Sequence, residues 1–481
     1  MSDVAGGVVV QAYRFALDPT PAQDRDLHRH AGAARFAFNW ALAAVCANLG
    51  QRAAERTYGL DGPQLTPALG WTLPALRRAW NAAKPQAAPW WAQCSKEAYN
   101  TGLDGLARAL GNWSASRTGR RAGPRVGFPR FKSRRRAMPS VRFTTGTIRV
   151  EDTRHHVTLP RLGRIRTHES TRKLARRLHA GTARILSATV RHTGGRWHVS
   201  FTVEVTRTTH TPTYPQATVG VDLGITRLAV LSTGQVVPNP RHLTHAQARL
   251  RSAARTLSRR QGPDRRTGTR PSRRWQQAKT RLAKAHARVT NLRTDGLHKL
   301  TTSLAATYGT IVVEDLNVAG MLANRRLARH IADAGWATLR RHLDYKTTWH
   351  GGRLIVADRW FASSKTCSSC SAVRPKLALQ ERTYTCQHCG LCLDRDLNAA
   401  INLRQYVARS GRETQNGRGA DHKTTLVVAG GCETTTPHHH PGGQDGDRRP
   451  ATADCNTSAH KRTLNCNGHI RTSGRQRRNG A

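Results

Sequence analysis

Cys367 and Cys370 form one Cys-x-x-Cys knuckle and Cys386 and Cys389 a second, with fifteen residues between them. Two such knuckles can turn four thiolates onto one tetrahedral Zn2+, and this spacing fits a zinc ribbon. His388 and Cys392 lie close enough in sequence to serve as ligands, but the doubled knuckle leaves no need for them. A closed four-sulfur site has no open coordination position, so this zinc is expected to be structural.

A second set of residues suggests hydrolysis. Asp222 stands in VGVDLG, Glu314 in TIVVEDLN, and Asp394 and Asp396 in DRDLNAAINL. A carboxylate within an apolar strand run is costly unless it is paired or binds a cation. Acids from three separate segments could hold two Mg2+ ions, activating water and stabilising the leaving oxygen of a phosphodiester. Each acid also has a plainer use alone: Asp222 as a turn residue before Gly224, Glu314 as the partner of a core arginine, Asp396 as a helix cap. Asp315 follows Glu314, and strand neighbours point to opposite faces, so only one of them should enter a site. Ser363, Ser364 and Lys365 precede the first knuckle without a recognisable base for nucleophilic catalysis, and a phosphate or backbone contact suits Lys365 better. The run His438–His440 is read as part of a low-complexity stretch rather than as a metal site.

Periodicity indicates the elements that would position these groups. VVVQAYRFALD alternates like a strand and breaks at Pro19 and Pro21, after which helical patterns run with interruptions to about Trp113. Between Ser140 and Thr209 the period becomes two, with Gly turns, predicting a small β-barrel or sheet. If the opening strand joins that sheet, the helical region is an insertion within it. Ala217–Gly234 reads as a buried hairpin, about 241–308 as an Arg-rich helical stretch broken near Gly262–Pro271, and TIVV and RLIVA as central strands. After about Arg409 periodicity is lost, and 411–481 reads as a disordered basic tail.

Composition narrows the partners. The 481 residues carry 78 Lys and Arg against 29 Asp and Glu, a formal net charge of +49. Such a chain is suited to a polyanion, because each neutralised phosphate releases condensed counterions. The segment Arg117–Arg136 interleaves cations with aromatic rings, and Phe128, Arg130, Phe131, Lys132, Arg134, Arg135 and Arg136 are its candidate nucleic-acid contacts, with Lys365. No apolar run approaches a membrane span and no secretory leader is evident. Five of the ten cysteines crowd between Cys367 and Cys392, which favours a reduced, intracellular metal site over a disulfide framework.

VGVDLG, VVEDLNV, WFASSKTCSSC with CQHCG, and DRDLNAAINL occur in the order and spacing of the TnpB (OrfB) family, transposon-encoded proteins related to type V CRISPR effectors. AYRFALDPTPAQ and GFPRFKSRRR also resemble that family's N-terminal half, and the resemblance spans roughly residues 8–415. It implies a multidomain α/β chain: a β-barrel wedge domain (1–20 and 136–210), an inserted helical recognition domain (21–135), a RuvC-type RNase H-like nuclease domain (215–364 and 393–410) and an inserted zinc ribbon (365–392). It also implies a Mg2+-dependent DNA endonuclease guided by an RNA from the transposon end, cutting double-stranded DNA beside a short motif. Carried over by motif, its metal ligands fall on Asp222, Glu314 and Asp396, and its setting would be cytoplasmic, at the nucleoid. A non-cleaving transposition accessory or repressor is the alternative, and a transposase that joins DNA ends a third.

Overall fold

The structure is a computed structural model that describes residues 7–134, 137–264, 266–378 and 380–413. Expectations for Arg135, Arg136, His438–His440 and the tail from 414 onward lie outside the described residues; residues 411–413 continue the last helix.

The chain opens with strand β1 (Val8–Asp18) and helix α1 (Pro21–Thr57). Thr20 stops the strand and starts the helix: its hydroxyl accepts the Gln23 N–H while the Gln23 side chain returns to the Thr20 N–H, with Pro21 in the first turn. Helices α2 (Leu73–Ala87) and α3 (Lys96–Arg117) follow, capped by the hydroxyls of Thr72 and Ser95. A Cβ on Gly102 would lie 2.1 Å from the Ala34 carbonyl oxygen, so glycine lets α3 cross α1 in contact. The chain then returns through β2 (Ser140–Phe143), β3 (Arg149–Val150), β4 (His156–Leu159), β5 (Gly163–Thr167), α4 (Arg172–His179), β6 (Ala183–Thr193) and β7 (Arg196–Thr206).

These strands form an antiparallel sheet in the order β2-β6-β7-β1-β5-β4-β3, so the opening strand does join it and the helices are inserted after β1. No described pair links β2 to β3. On β2 the Arg142 N–H donates to the Thr101 hydroxyl of α3 while its carbonyl accepts from it (3.0 and 3.2 Å). A helix thus covers that edge. Leu27, Phe38, Leu103 and Leu106 of the helices share one apolar core with Phe143, Val199 and Phe201 of the sheet.

A second sheet follows. Strands β8 (Tyr214–Leu223), β9 (Arg227–Leu231) and β10 (Val236–Pro238) form an antiparallel meander. Helices α5 (His242–Ser258) and α6 (Arg273–Thr307) lead to β11 (Tyr308–Glu314), and α7 (Val318–Met321), α8 (Ala328–Ala334) and α9 (Trp336–Trp349) to β12 (Arg353–Ala357). Both later strands run parallel to β8, giving the order β10-β9-β8-β11-β12. Strand alternation sorts the core: Val219, Val221, Ile311 and Val313 face Leu297 of α6 and Leu339 and Leu343 of α9. Val312 and Ala357 face Leu403 of the last helix, α10 (Arg395–Glu413). Between β12 and α10 lie the cysteine knuckles and a small hairpin of β13 (Thr383–Thr385) and β14 (Cys392–Asp394). The whole is a mixed α/β fold, and no helix among the described residues is long and apolar enough to cross a membrane.

Candidate active and metal sites

A glycine explains how acids distant in the sequence come close enough for their charges to interact. A Cβ on Gly220 would lie 2.0 Å from the Ala400 carbonyl oxygen and 2.5 Å from the Arg404 amide nitrogen, so only glycine lets α10 cross β8 at this level. Gly220 and Asp222 are two residues apart on one strand and share the face that α10 covers. Asp396 and Ala400 are one helical turn apart and share the helix side turned to the sheet. The crossing therefore sets the first turn of α10 over the C-terminal end of β8. Glu314 ends β11, and the pairing of Val313 with Val221 puts it level with Asp222 on the neighbouring parallel strand.

Asp222 and Glu314 are half-buried. Burial, then the charges of Glu314 and Asp396, hold the Asp222 carboxyl well above the usual carboxylate range. Burial also raises Glu314, against a hydrogen bond from Ser363 that lowers it. Like charges brought together in this way favour either protons or a bound cation.

The two aspartates of DRDLN have separate work. Asp394 Oδ1 accepts the N–H groups of Asp396 (3.0 Å) and Leu397 (3.1 Å), so Asp394 caps α10. This corrects the expectation that Asp396 would be the cap: the helix starts at Arg395, and Asp396 is its second residue. Arg227 of β9 spans the pair, reaching Asp394 Oδ2 at 2.7 Å and Asp396 Oδ2 at 3.0 Å. Asp315 turns away from the site to Arg340 and Arg359, each at 2.6 Å, so the arginine partner allowed for Glu314 belongs to its neighbour.

Ser363 also departs from expectation, since it does have an acidic partner. Its buried hydroxyl donates to Glu314 Oε1. This contact and the roles of Gly220, Arg227, Asn398 and Asn402 depend on partners far off in the sequence. The asparagines carried a signal: two amides spaced i, i+4 interrupt an apolar helix side, and both are fully buried.

The four cysteines converge. Among the described residues, Cys367, Cys370, Cys386 and Cys389 form the one group of three or more possible metal ligands whose donor atoms all lie within 4.8 Å of one another. Sulfur separations are 3.6 Å for Cys367–Cys389 and for Cys370–Cys386. A disulfide would need about 2.05 Å, whereas sulfurs about 2.3 Å from a tetrahedral zinc stand about 3.8 Å apart. The thiols therefore fit zinc. The N–H groups of Cys389 and His388 draw the Cys386 thiol down to about 6, toward the thiolate that zinc requires. Cys392 is exposed on β14, outside the group.

Candidate nucleic-acid contacts divide by environment. Arg130, Phe131 and Arg134 are exposed. Phe128 packs edge-on against Trp113 with ring centroids 5.0 Å apart. The Lys132 ammonium sits 3.7 Å from the centre of the Phe38 ring, and the Lys132 backbone is clamped by the Asn39 amide. Lys365 is exposed, its ammonium 3.3 Å from the Pro375 carbonyl oxygen.

A Mycobacterium tuberculosis protein provisionally named an RNA-guided DNA endonuclease is 42% identical over 92% of this chain and 97% of its own length. The chain belongs to the TnpB family. A similarly named Escherichia coli K12 protein of the family is 29% identical, over 87% of this chain and 98% of that one. Residues 200–325 match the OrfB model described as "Probable transposase", and 336–403 a Cas12f1-like TNB domain. Residues 9–48 match a model described as a helix-turn-helix domain, yet this segment folds as β1 and one unbroken stretch of α1. The chain in a structure described as the Cas12f1–sgRNA–target DNA complex overlays with a TM-score of 0.43 and 10% identity, over 82% of this chain and 99% of that one.

Proposed function

We propose that this protein is an RNA-guided DNA endonuclease that hydrolyses phosphodiesters in a RuvC-like, RNase H-type site built from Asp222, Glu314 and Asp396. The observation that carries the reading is the crossing at Gly220, which gathers acids from three segments at one end of the parallel strands. Their hard oxygen donors suit Mg2+. Two bound ions would supply Lewis acidity and a water of lowered pKa. Asp222 and Glu314 would hold metal from adjacent strand ends and Asp396 from the helix above them. Asp394 keeps Asp396 in register by capping the helix, and Arg227 pairs with one oxygen of each carboxylate. Three acids facing a phosphate backbone serve cleavage, whereas binding alone has no use for them.

Target choice would come from base pairing to a guide RNA made from the transposon end, with the protein reading a short flanking DNA motif. The exposed cations of the basic segment, Arg130 and Arg134, would hold nucleic-acid backbone, with Phe131 available to stack on a base.

The test is to purify the chain with co-expressed RNA from the transposon end and offer a matching DNA target with Mg2+. Cleavage is expected in the wild type and none in Asp222→Ala. Cleavage that survives this substitution would overturn the site, and tight binding without any cleavage by the wild type would establish the accessory or repressor role instead.

A further inference from the structure

We propose that Ser363 is a positioning residue for Glu314, and that the segment from Ser363 to Ser368 ties the candidate Mg2+ site to the zinc ribbon. This rests on the reading of Glu314 as a metal ligand. Glu314 sits at a strand end, where its side chain can rotate, and one of its oxygens accepts the Ser363 hydroxyl. A carboxylate with one oxygen held this way presents the other in a fixed direction, as do the outer partners that orient ligands in metal sites. Ser363 is 3% exposed, so its hydroxyl has no water to turn to and faces the carboxylate.

The serine is itself held from α10. Asn402 Nδ2 donates to the carbonyls of Ser363 (2.9 Å) and Thr366 (2.7 Å). One turn earlier, Asn398 Nδ2 donates to the Thr366 carbonyl (2.8 Å), and its Oδ1 accepts the Ser368 N–H (3.0 Å). Asn402 Oδ1 is buried without a hydrogen-bond partner, a cost that marks the residue as present for what its Nδ2 does. The segment so fixed contains Cys367, the first sulfur of the zinc group. One helix therefore carries Asp396 near its start and, through Asn398 and Asn402, grips the loop that aims Glu314. The knuckle closes the far end of that loop, so zinc and the acidic site share one support.

A structural role alone would predict that losing the hydroxyl alters stability but leaves metal affinity unchanged. The measurement is Mn2+ binding to the full chain free of nucleic acid, by electron paramagnetic resonance, with zinc content and melting temperature recorded for each variant. Ser363→Ala is expected to weaken Mn2+ binding about tenfold with one zinc per chain retained. Ser363→Thr, which keeps the hydroxyl, is expected to bind more tightly than Ser363→Val, which has the same shape without it. If Asp222→Ala abolishes Mn2+ binding while Ser363→Ala binds like the wild type, the positioning role is wrong and the acidic site stands. If Asp222→Ala also binds like the wild type, the site itself fails. Should Ser363→Ala lose zinc or unfold, the Thr and Val pair decides, and equal Mn2+ affinities for those two would overturn the proposal.

Discussion

Asp394 accepts the backbone N–H of Asp396 at 3.0 Å, so one aspartate of the DRD pair holds the helix start that carries the other. Asp394→Ala removes a cap and a partner of Arg227, and it should lower stability by about 1–2 kcal/mol while leaving residual cleavage. Asp396→Ala should abolish cleavage and cost less stability than Asp394→Ala, because it gives up a pair with Arg227 but no cap. Urea unfolding and cleavage rates for the two variants check the division, and equal loss of cleavage in both would refute it.

Gly220→Ala places a methyl group 2.0 Å from the Ala400 carbonyl oxygen. Backbone cannot yield there as a flexible side chain would, so α10 must lift from β8. The expected cost is about 1–3 kcal/mol, with loss of cleavage although no acid has been touched. Calorimetry and a cleavage assay on the same preparation test this, and a variant as stable and active as the wild type would show that α10 does not need the close crossing.

The sulfur geometry predicts one zinc per chain. Cys389→Ser should abolish stoichiometric zinc and lower the melting temperature, whereas Cys392→Ser should leave both unchanged, since Cys392 lies outside the group. Elemental analysis of reduced, folded protein decides the point.

Phe128 and Phe131 look alike in sequence but differ in environment. Phe128→Ala removes an edge-on contact with Trp113 and should destabilise the helical insertion. Phe131 is exposed, so Phe131→Ala should leave stability unchanged and weaken RNA or DNA binding. Replacing Arg130 and Arg134 should also flatten the salt dependence of binding, because each cation withdrawn from a phosphate reduces the slope by about one.

Lys346 predicts a pH effect of definite sign. It is buried between α9 and α6, donating to the His298 carbonyl (2.7 Å) and the hydroxyls of Thr301 (2.8 Å) and Thr302 (2.7 Å), and burial lowers its ammonium from 10.5 to about 8. Between these two values the unfolded chain binds more protons than the folded one, so this residue's contribution to stability rises with pH across that window. Below it both states are protonated and the contribution is flat. Relative to Lys346→Met, the wild type should gain on the order of 1–2 kcal/mol between pH 7.5 and 9.5, measured by urea unfolding. A constant difference between the two would disprove it.

The sequence by itself determined the knuckles, the three acids, the hairpin at Ala217–Gly234 and the central strands at β11 and β12. Ligand spacing and strand periodicity are local properties, written within a few residues of one another. Only the tertiary structure decided which aspartate caps α10, which carboxylate Ser363 meets, and that helix α3 meets the edge of β2. Those outcomes depend on contacts between segments far apart in the chain. Gly220 and Ala400 are 180 residues apart, and nothing near either one states that their backbones must touch. The absence of a single Cβ at that crossing lets α10 bring the charge of Asp396 within reach of Asp222.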